Sequence, residues 1–171
     1  MKFFLFGQIG SGKSFVGQLI QRDFGIPYHD ADRDLPHSIV AAIKNRQPIT
    51  EAMRDEFTGL MIARIHSLAA QHRHFCVAQA LFKNRHRVRV LEAISDLAMV
   101  WIRSPESLTR LRLEQRTGHL ASSYYAERIN PEFEPPTIPH LVIENSGDCA
   151  ALRSQLAKLT STRQSRPQVA G

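Results

Sequence analysis

The segment from residue 7 to residue 14 combines glycines with a lysine and a serine at a fixed spacing. It reads Gly-Gln-Ile-Gly-Ser-Gly-Lys-Ser, which fits the Walker A pattern of phosphate-binding loops. Glycines let successive backbone N–H groups turn towards one anion without a clash from a side chain. Lys13 adds a mobile positive charge for the β- and γ-phosphates, and the hydroxyl of Ser14 can hold Mg²⁺. The segment therefore predicts a site for ATP and Mg²⁺.

The elements around this loop favour the same interpretation. An apolar run precedes the loop and a helical pattern follows it, which is the context that the motif requires. The helix would direct the positive end of its dipole at the anion. A random chain of this length would match the motif about once in a few hundred. The residues predicted to contact the nucleotide here are Gly7, Gly10, Ser11, Gly12, Lys13, Ser14 and Phe15.

Two aspartates, Asp30 and Asp32, follow the second predicted strand. In a parallel sheet this position puts both carboxylates at the edge where ligands bind. A carboxylate there can hold a water of Mg²⁺ or accept the proton of an attacking hydroxyl. The alternative is structural: the aspartates would form an Asx turn or a helix cap before Leu35 and Pro36. The residues alone do not decide between these two interpretations.

Arg54 and a basic run after the third predicted strand are candidates for binding an anionic acceptor. The guanidinium of Arg54 could hold a carboxylate through two hydrogen bonds, although an exposed position on a long helix is the alternative. The run consists of Lys83, Arg85, Arg87 and Arg89. We expect Lys83 to face the acceptor and the other three to lie on an outer helix face. Nucleic-acid binding is not expected, because the run lacks interleaved aromatic residues and a recognisable binding motif.

Apolar runs and helical patterns alternate along the chain. This order predicts an α/β fold, with a five-stranded parallel sheet sandwiched by helices. The expected strands are residues 2–6, 26–29, 74–81, 97–102 and 140–144. The expected helices are residues 13–24, 39–44, 51–68, 83–94 and 105–115, with a last one after residue 148. The predicted N-terminal caps are Thr50, Ser104 (followed by Pro105) and Asp148.

Two parts of the chain lack a regular pattern. Residues 116–139 contain Gly118 and four prolines, and we expect them to be irregular. The last residues have no periodicity and are predicted to form a disordered tail at residues 163–171. Residues 1–162 are therefore predicted to form a single domain.

The bulk composition narrows the class of protein. The chain has 171 residues, of which 43% are hydrophobic, and its apolar start is too short for a secretory signal or a membrane span. Cys76 and Cys149 show no metal or redox spacing, so we expect reduced thiols and a cytoplasmic location. The formal net charge of +6 favours anionic ligands. The expected partner is a small-molecule acceptor; membrane and nucleic acid are not expected, and a homodimer is left open.

Further segments follow the phosphate loop in a recognisable order. They are His29-Asp30-Ala31-Asp32, Arg-Gln-Pro-Ile-Thr-Glu-Ala-Met-Arg at residues 46–54, Ala80-Leu81-Phe82-Lys83, and Arg116-Thr117-Gly118-His119-Leu120. Together with the loop they resemble the gluconate kinases, and next the shikimate kinases, in the nucleoside-monophosphate-kinase-like group of P-loop small-molecule kinases. The family segments are Asp-Gly-Asp, Gly-x-Pro-Leu-x-Asp-x-Asp-Arg, Ala-Leu-Lys-Lys and Arg-x-Gly-His-Phe. The likeness extends from residue 2 to about residue 136.

The resemblance assigns roles to several of these residues. It implies that Asp30 is the general base and a metal ligand beside Ser14, and that Asp32 faces the acceptor or the metal shell. It also implies a lid at about residues 116–139 that closes over ATP. Arginines at the base of such a lid, or in it, stabilise the transferring phosphoryl group together with the lysine of the loop. The nucleotide-binding arginines are therefore predicted to be Arg112 and Arg116, with Arg116 and Lys13 catalytic.

The family pattern changes at three positions on the acceptor side. Ala31 replaces the glycine between the aspartates, Phe82 replaces the first lysine of the Lys-Lys pair, and no Pro-Trp follows Arg54. The resemblance implies an ATP-dependent kinase that phosphorylates a hydroxyl of a small anionic acceptor, with gluconate favoured and bound by Asp32, Arg54 and Lys83. The alternatives are a shikimate- or nucleoside-type kinase, or a nucleotide-binding protein that acts on RNA.

Overall fold

The computed structural model describes residues 1–94, 96–115 and 123–164. Five strands form one sheet in the order β2-β3-β1-β4-β5, and every neighbouring pair is parallel. The strands are β1 (Lys2–Phe6), β2 (Tyr28–Asp30), β3 (Phe75–Ala78), β4 (Leu97–Arg103) and β5 (Leu141–Glu144). The predicted fold class, an α/β protein with a five-stranded parallel sheet, is confirmed.

Within these ranges seven α-helices accompany the sheet. They are α1 (Lys13–Phe24), α2 (His37–Lys44), α3 (Glu51–Gln71), α4 (Asn84–Ala93), α5 (Glu106–Glu114), α6 (Ser123–Ile129) and α7 (Cys149–Gln164). Two short 3-10 helices, Ala31–Asp34 and Asn130–Glu132, follow β2 and α6. None of the described helices combines the length and the apolar character that crossing a membrane requires.

The central strand β1 is apolar along its length because helices cover both faces of the sheet. Phe3 and Leu5 pack on one face, in a cluster that includes residues of α1 and α7. Phe4 and Phe6 pack on the other face, with residues of α2, α3 and α4. All four side chains are fully buried. Alternate residues thus enter two separate cores, which is typical of a parallel sheet in a three-layer protein.

The topology brings three loops to one edge of the sheet. β1 pairs with β3, and β3 pairs with β2, so their carboxyl ends lie side by side. In the register, Leu5 is opposite Ala78, and Ala78 is opposite Asp30. The segment after β1, the segment after β3 and the aspartates after β2 therefore meet there, as expected for the ligand edge of such a sheet.

Most of the strand and helix boundaries differ from the predicted ones by one to three residues; β3, for example, ends at Ala78 and not at residue 81. Three further differences concern a cap, the irregular segment and the tail. Helix α5 begins at Glu106 with Pro105 as its N-cap, because the hydroxyl of Ser104 donates instead to the carbonyl of Asn145. Residues 116–139, predicted to be irregular, contain α6 and a 3-10 helix. The last helix continues to Gln164, so its final turn includes residues 163 and 164, which were predicted to belong to the tail. Residues 165–171 lie outside the described part of the chain.

Two of the predicted caps and both cysteines are as expected. The side chain of Thr50 accepts a hydrogen bond from the N–H of Met53 at the start of α3. The side chain of Asp148 accepts from the N–H groups of Ala150 and Ala151 at the start of α7. Of the two cysteines, both in the described part, one is buried and the other is exposed, and neither forms a disulfide.

Candidate nucleotide and acceptor site

The phosphate loop connects β1 to α1 through a turn that strongly favours glycine. Gly12 is the N-cap of α1 with a φ of 89°, and its carbonyl accepts from the N–H of Val16 at 3.0 Å. A Cβ at Gly12 would lie 2.2 Å from the side-chain nitrogen of Asn145. Any other residue would thus clash with a neighbouring wall of the site and strain the backbone. The loop therefore leads directly into the N-terminus of α1, where free backbone N–H groups can bind an anion.

The ammonium of Lys13 lies over this loop. Its Nζ donates to the carbonyl oxygens of Gly7, at 3.1 Å, and Gln8, at 2.9 Å. These bonds keep the positive charge at the loop, and phosphate oxygens are acceptors that can replace the carbonyls. The position of Lys13 is thus compatible with its predicted contact with the nucleotide.

Ser14 and Asp30 meet across the edge of the sheet. The hydroxyl of Ser14 donates to Oδ2 of Asp30 at 3.1 Å, although sixteen positions separate the two residues. The other oxygen of Asp30, Oδ1, accepts from the N–H of Asp32 and caps the 3-10 helix that follows. Oδ1 of Asp30 thus forms the helix cap that the sequence offered as one interpretation, whereas the role of the carboxylate in catalysis or metal binding stays a prediction.

This pair fits a magnesium site. Mg²⁺ prefers oxygen ligands, takes one or two of them from the protein, and keeps waters and phosphate oxygens for the remainder. Ser14 and Asp30 supply oxygens of that kind beside the phosphate loop. The described residues contain no group of three or more His, Cys, Asp or Glu side chains that could hold a metal by themselves. The donor set therefore suits a metal shared with a nucleotide.

The carboxylate of Asp32 is fixed by a residue that the sequence did not single out. Oδ1 of Asp32 accepts from Nε2 of Gln79 at 2.7 Å. The amide oxygen of Gln79 accepts in turn from the N–H of Leu81 at 3.1 Å. Leu81 has a φ of 45°, which is rare for a residue with a branched side chain. Gln79 thus links the carboxylate of Asp32 to the strained turn at Leu81. No sequence pattern indicates this role.

One cavity of about 620 Å³ extends from the phosphate loop to the helices α2 and α3. The predicted site residues that line it are Gly10, Gly12, Lys13, Ser14, Phe15, Asp30, Asp32, Arg54 and Arg112. Gly7 and Ser11 lie in the same loop, and the carbonyl of Ser11 accepts hydrogen bonds from two residues of the cavity wall. The structure therefore brings most of the predicted nucleotide and acceptor residues to a single space.

Arg54 lies in the wall of this cavity, not on an exposed face of α3. Its side chain is only 11% exposed, and its guanidinium is 2.9 Å from the carboxylate of Glu132 and 3.3 Å from that of Glu51. The guanidinium also lies over the ring of Phe82, 6.0 Å from its centroid. The buried Nε of Arg54 forms no hydrogen bond with any described residue. That Nε is the atom paired with Glu51, so two carboxylates already lie against the guanidinium of Arg54, and a bound anion would have to replace them.

Tyr125 and His86 complete the polar part of the wall around Arg54. Burial raises the pKa of Tyr125 to about 12, so the phenol keeps its proton at neutral pH. Burial also lowers the pKa of His86, against the opposing effect of its hydrogen bond to Asp55 at 3.0 Å. Both side chains are therefore uncharged at neutral pH, and Arg54 is their charged neighbour.

The basic run is arranged differently from the prediction. Lys83 is directed to the carboxylate of Glu134, 3.6 Å away, and is not among the described residues that line the cavity. Arg87, predicted on an outer helix face, is completely buried. Its guanidinium donates to the carbonyls of Leu81, Phe82 and Glu134. Arg87 therefore connects the segment at Leu81 and Phe82 to that at Glu134, and it does not belong to an outer basic helix face.

Arg112 lies at the opposite end of the cavity, against the phosphate loop. One nitrogen of its guanidinium donates to the carbonyl of Ser11 at 3.3 Å, and the other donates to the side chain of Asn145 at 3.1 Å. Asn145 also donates to the carbonyl of Ser11 at 2.9 Å. Burial lowers the pKa of Arg112. Arg116, the predicted catalytic arginine, lies outside the described residues, and its role stays a prediction.

Asn130 is a further contact of the phosphate loop that the sequence did not indicate. Its side-chain oxygen accepts from the N–H of Ile9 at 2.9 Å, and its side-chain nitrogen donates to the carbonyl of Ile9 at 3.0 Å. The amide thus pairs with both backbone groups of one loop residue. Asn130 lies in the part of the chain predicted as a lid, so this segment is attached directly to the phosphate loop.

Comparison with known proteins agrees with this architecture. No protein-family model matches the chain, and no curated protein matches it in sequence. Among solved structures, a sugar kinase from Janibacter sp. HTCC2649 is similar with a TM-score of 0.77 and 18% identity, over 99% of this chain and 98% of that one. A gluconokinase from Sinorhizobium meliloti 1021 is similar with a TM-score of 0.75 and 24% identity, over 96% and 97% of the two chains.

A third structure shows the same fold with nucleotide present. The APS kinase CysC of Mycobacterium tuberculosis, in complex with AMPPNP and APS, has a TM-score of 0.64 and 19% identity, over 96% of this chain and 98% of that one. These identities show a shared fold and not a shared substrate. The chain has the fold of the P-loop small-molecule kinases, as the resemblance in its sequence implied.

Proposed function

We propose that this protein is an ATP-dependent kinase that phosphorylates a hydroxyl of a small anionic molecule. The observation that carries the proposal is the contact between Ser14 and Asp30 beside the Walker A loop, in a cavity that continues to Arg54. One space thus offers a phosphate site, oxygen ligands for a metal, a carboxylate base and a cation for the acceptor. These are the parts that phosphoryl transfer requires.

The reaction follows from the arrangement of these groups. The acceptor hydroxyl loses its proton to the carboxylate of Asp30, and its oxygen bonds to the γ-phosphorus of ATP. The bond from that phosphorus to the bridging oxygen breaks, and ADP leaves with the electron pair. Lys13, and Arg116 in our proposal, stabilise the charge on the transferring group. Mg²⁺, held near Ser14 and Asp30, would neutralise charge on the phosphates.

Gluconate is the first acceptor to test, because the sequence resembles gluconate kinases and a gluconokinase shares the fold. Shikimate- and nucleoside-type acceptors are the alternatives. The alternative of a protein that acts on RNA has lost support, because Arg87 is buried and Arg85 is paired with Glu51 and Asp55. A cytoplasmic location and a homodimer remain predictions from the sequence.

The test replaces Lys13 with alanine and measures ADP formation with Mg²⁺ and a panel of gluconate, shikimate and nucleosides. We expect Lys13→Ala to lose at least about a hundredfold in turnover, because the charge at the transferring phosphoryl group is removed. The control is Lys2→Ala at the other end of β1, where the lysine pairs with Asp96. Turnover of Lys13→Ala within threefold of the unchanged protein would contradict the proposal.

A further inference from the structure

The part of the cavity between α2 and α3 is bounded by an apolar wall. We use this name for Leu35, Ile39, Ile43, Ile49, Phe57 and Met61, all of which line the cavity. Ile39, Phe57 and Met61 are buried, and the other three are packed against the same core. These side chains come from two helices and the loops beside them and line one cavity. A molecule bound here has its body in contact with hydrocarbon.

Several polar groups near this wall are already engaged within the protein. The hydroxyl of Thr58 donates to the carbonyl of Arg54 at 2.7 Å. Oδ1 of Asp32 accepts from Gln79, and His86 pairs with Asp55. The six side chains of the apolar wall offer no hydrogen-bond partner, so ligand hydroxyls that face the wall stay unpaired. Each unpaired buried hydroxyl weakens binding by about tenfold.

The guanidinium of Arg54 provides one anion site at this wall. It already holds a carboxylate, that of Glu132, whose side chain is 45% exposed and can be displaced. Its buried Nε is 3.3 Å from the carboxylate of Glu51, which is 55% exposed, in an ion pair without hydrogen-bond geometry. A ligand carboxylate that replaces these glutamates could align with the donors of the guanidinium. The acceptor part of the cavity therefore combines the cation of Arg54 with an apolar surface, and the exposed Arg33 lines the same cavity.

Resting on the proposed kinase function, we infer that the acceptor is a hydroxy acid with a largely apolar carbon skeleton, and not a fully hydroxylated sugar acid. Its carboxylate binds Arg54, its hydrocarbon body lies on the apolar wall, and one hydroxyl reaches Asp30 and the phosphate loop. The three groups of the acceptor correspond to three separate surfaces of one cavity.

The experiment compares gluconate with 6-hydroxyhexanoate, which has the same chain and carboxylate but lacks the four internal hydroxyls. A cyclic analogue, cis-3-hydroxycyclohexanecarboxylate, tests a compact skeleton. The full chain is assayed with ATP and Mg²⁺ by ADP release, and the product is identified by phosphorus NMR. We expect kcat/KM for at least one of the two apolar acids to exceed that for gluconate by about tenfold or more.

A kcat/KM for gluconate equal to or above both others would overturn the inference and leave the kinase function in place. Thermal unfolding with a non-hydrolysable ATP analogue and Mg²⁺ separates the remaining cases. If the analogue stabilises the protein and none of the three acids is phosphorylated, the acceptor class is wrong and nucleotide binding stands. If the analogue gives no stabilisation, the proposed function fails with it.

A variant tests the contact with the wall itself. Ile49→Thr places a hydroxyl on the apolar wall at a partly buried position, so the fold should tolerate it. We expect the preference for 6-hydroxyhexanoate over gluconate to fall about threefold or more. Val88→Thr, at an exposed position on α4, makes the same kind of change away from the wall and should leave the preference unchanged. An unchanged preference in Ile49→Thr would refute the contact.

Discussion

Arg87 provides the sharpest test of how this structure holds its site. The side chain is fully buried in α4, and its guanidinium lies 4.8 Å from the ring of Phe6 and 4.6 Å from that of Phe133. Burial lowers its pKa to about 10, which leaves it charged at neutral pH. Replacing it by methionine, Arg87→Met, keeps most of the volume and removes every hydrogen bond of the guanidinium.

The size of the effect follows from the acceptors that lose their donors. Arg87 donates to the carbonyls of Leu81, at 2.8 Å, and Phe82, at 2.9 Å, and to that of Glu134 at 2.7 Å. The first two of these bonds are buried, so their carbonyls would be left without a partner or with a strained one. Loss of such a set costs about 3–5 kcal/mol. For a chain of this length that corresponds to a fall in Tm of about 10 °C.

The assay is thermal unfolding of Arg87→Met beside a matched control, Arg85→Met. Arg85 lies two residues away on the same helix, 51% exposed, and pairs with Glu51 and Asp55 at 2.8 Å and 2.9 Å. Exposed ion pairs contribute about 0–1 kcal/mol, so the control should lose no more than about 3 °C. Because Leu81 and Phe82 line the cavity, Arg87→Met should also raise KM for the acceptor more than KM for ATP.

Equal melting temperatures for the two variants would refute the reasoning, since the buried bonds would then contribute no more than exposed ones. A larger rise in KM for ATP than for the acceptor would refute the functional part. If Arg87→Met does not fold, Arg87→Lys keeps the charge but can donate in fewer directions. That variant should melt between Arg87→Met and the unchanged protein.

Two further predictions follow from single contacts. Asn130→Ala removes both hydrogen bonds to Ile9, and KM for ATP should rise about three- to tenfold because the loop loses this support. Asn130→Asp keeps the acceptor oxygen, so its KM for ATP should lie between those of Asn130→Ala and the unchanged protein. An unchanged KM in both variants would contradict this role. The N–H of Asn84 and then Lys83 hold the pKa of Glu134 below its ordinary value of 4.5, against the opposing effect of burial. The stability that this carboxylate adds is therefore complete above pH 4.5, the ordinary pKa, and is lost as the pH falls through the lowered pKa of the folded protein. Urea unfolding should show Glu134→Gln less stable than the unchanged protein near neutral pH and equal to it in acid, and a difference that persists in acid would contradict the assignment.

What the sequence predicted well depends on neighbours along the chain. The phosphate loop is contiguous, and the caps at Thr50 and Asp148 bond to N–H groups within three residues of them. Strand β1 was predicted with its observed bounds because its apolar run ends at a glycine. In these cases one short stretch contains both partners of the interaction that decides the structure.

What the sequence missed depends on partners far along the chain. Arg87 resembles its exposed neighbours in sequence. Its burial becomes favourable in the fold, where its partners include the carbonyl of Glu134, forty-seven positions away, and the ring of Phe6. Ser104 was predicted as a cap, but a bond to Asn145, forty-one positions away, takes its hydroxyl. Gln79 and Asn130 also bind partners far along the chain, Asp32 and Ile9. Their roles are not visible in composition or spacing, because each depends on which segments the folded sheet brings together.

The 3-10 turn Asn130–Glu132 contacts one residue at each end of the cavity, Ile9 and Arg54. Asn130 is hydrogen-bonded to Ile9 of the phosphate loop. Glu132, two residues later, pairs with the guanidinium of Arg54, where the carboxylate of an acceptor would bind. An acid that displaces Glu132 and shifts this turn would also shift the contact between Asn130 and Ile9, and a nucleotide that moves the loop would act on Glu132 through the same turn. Thermodynamic linkage makes such a coupling reciprocal, so each substrate changes the affinity for the other by the same factor.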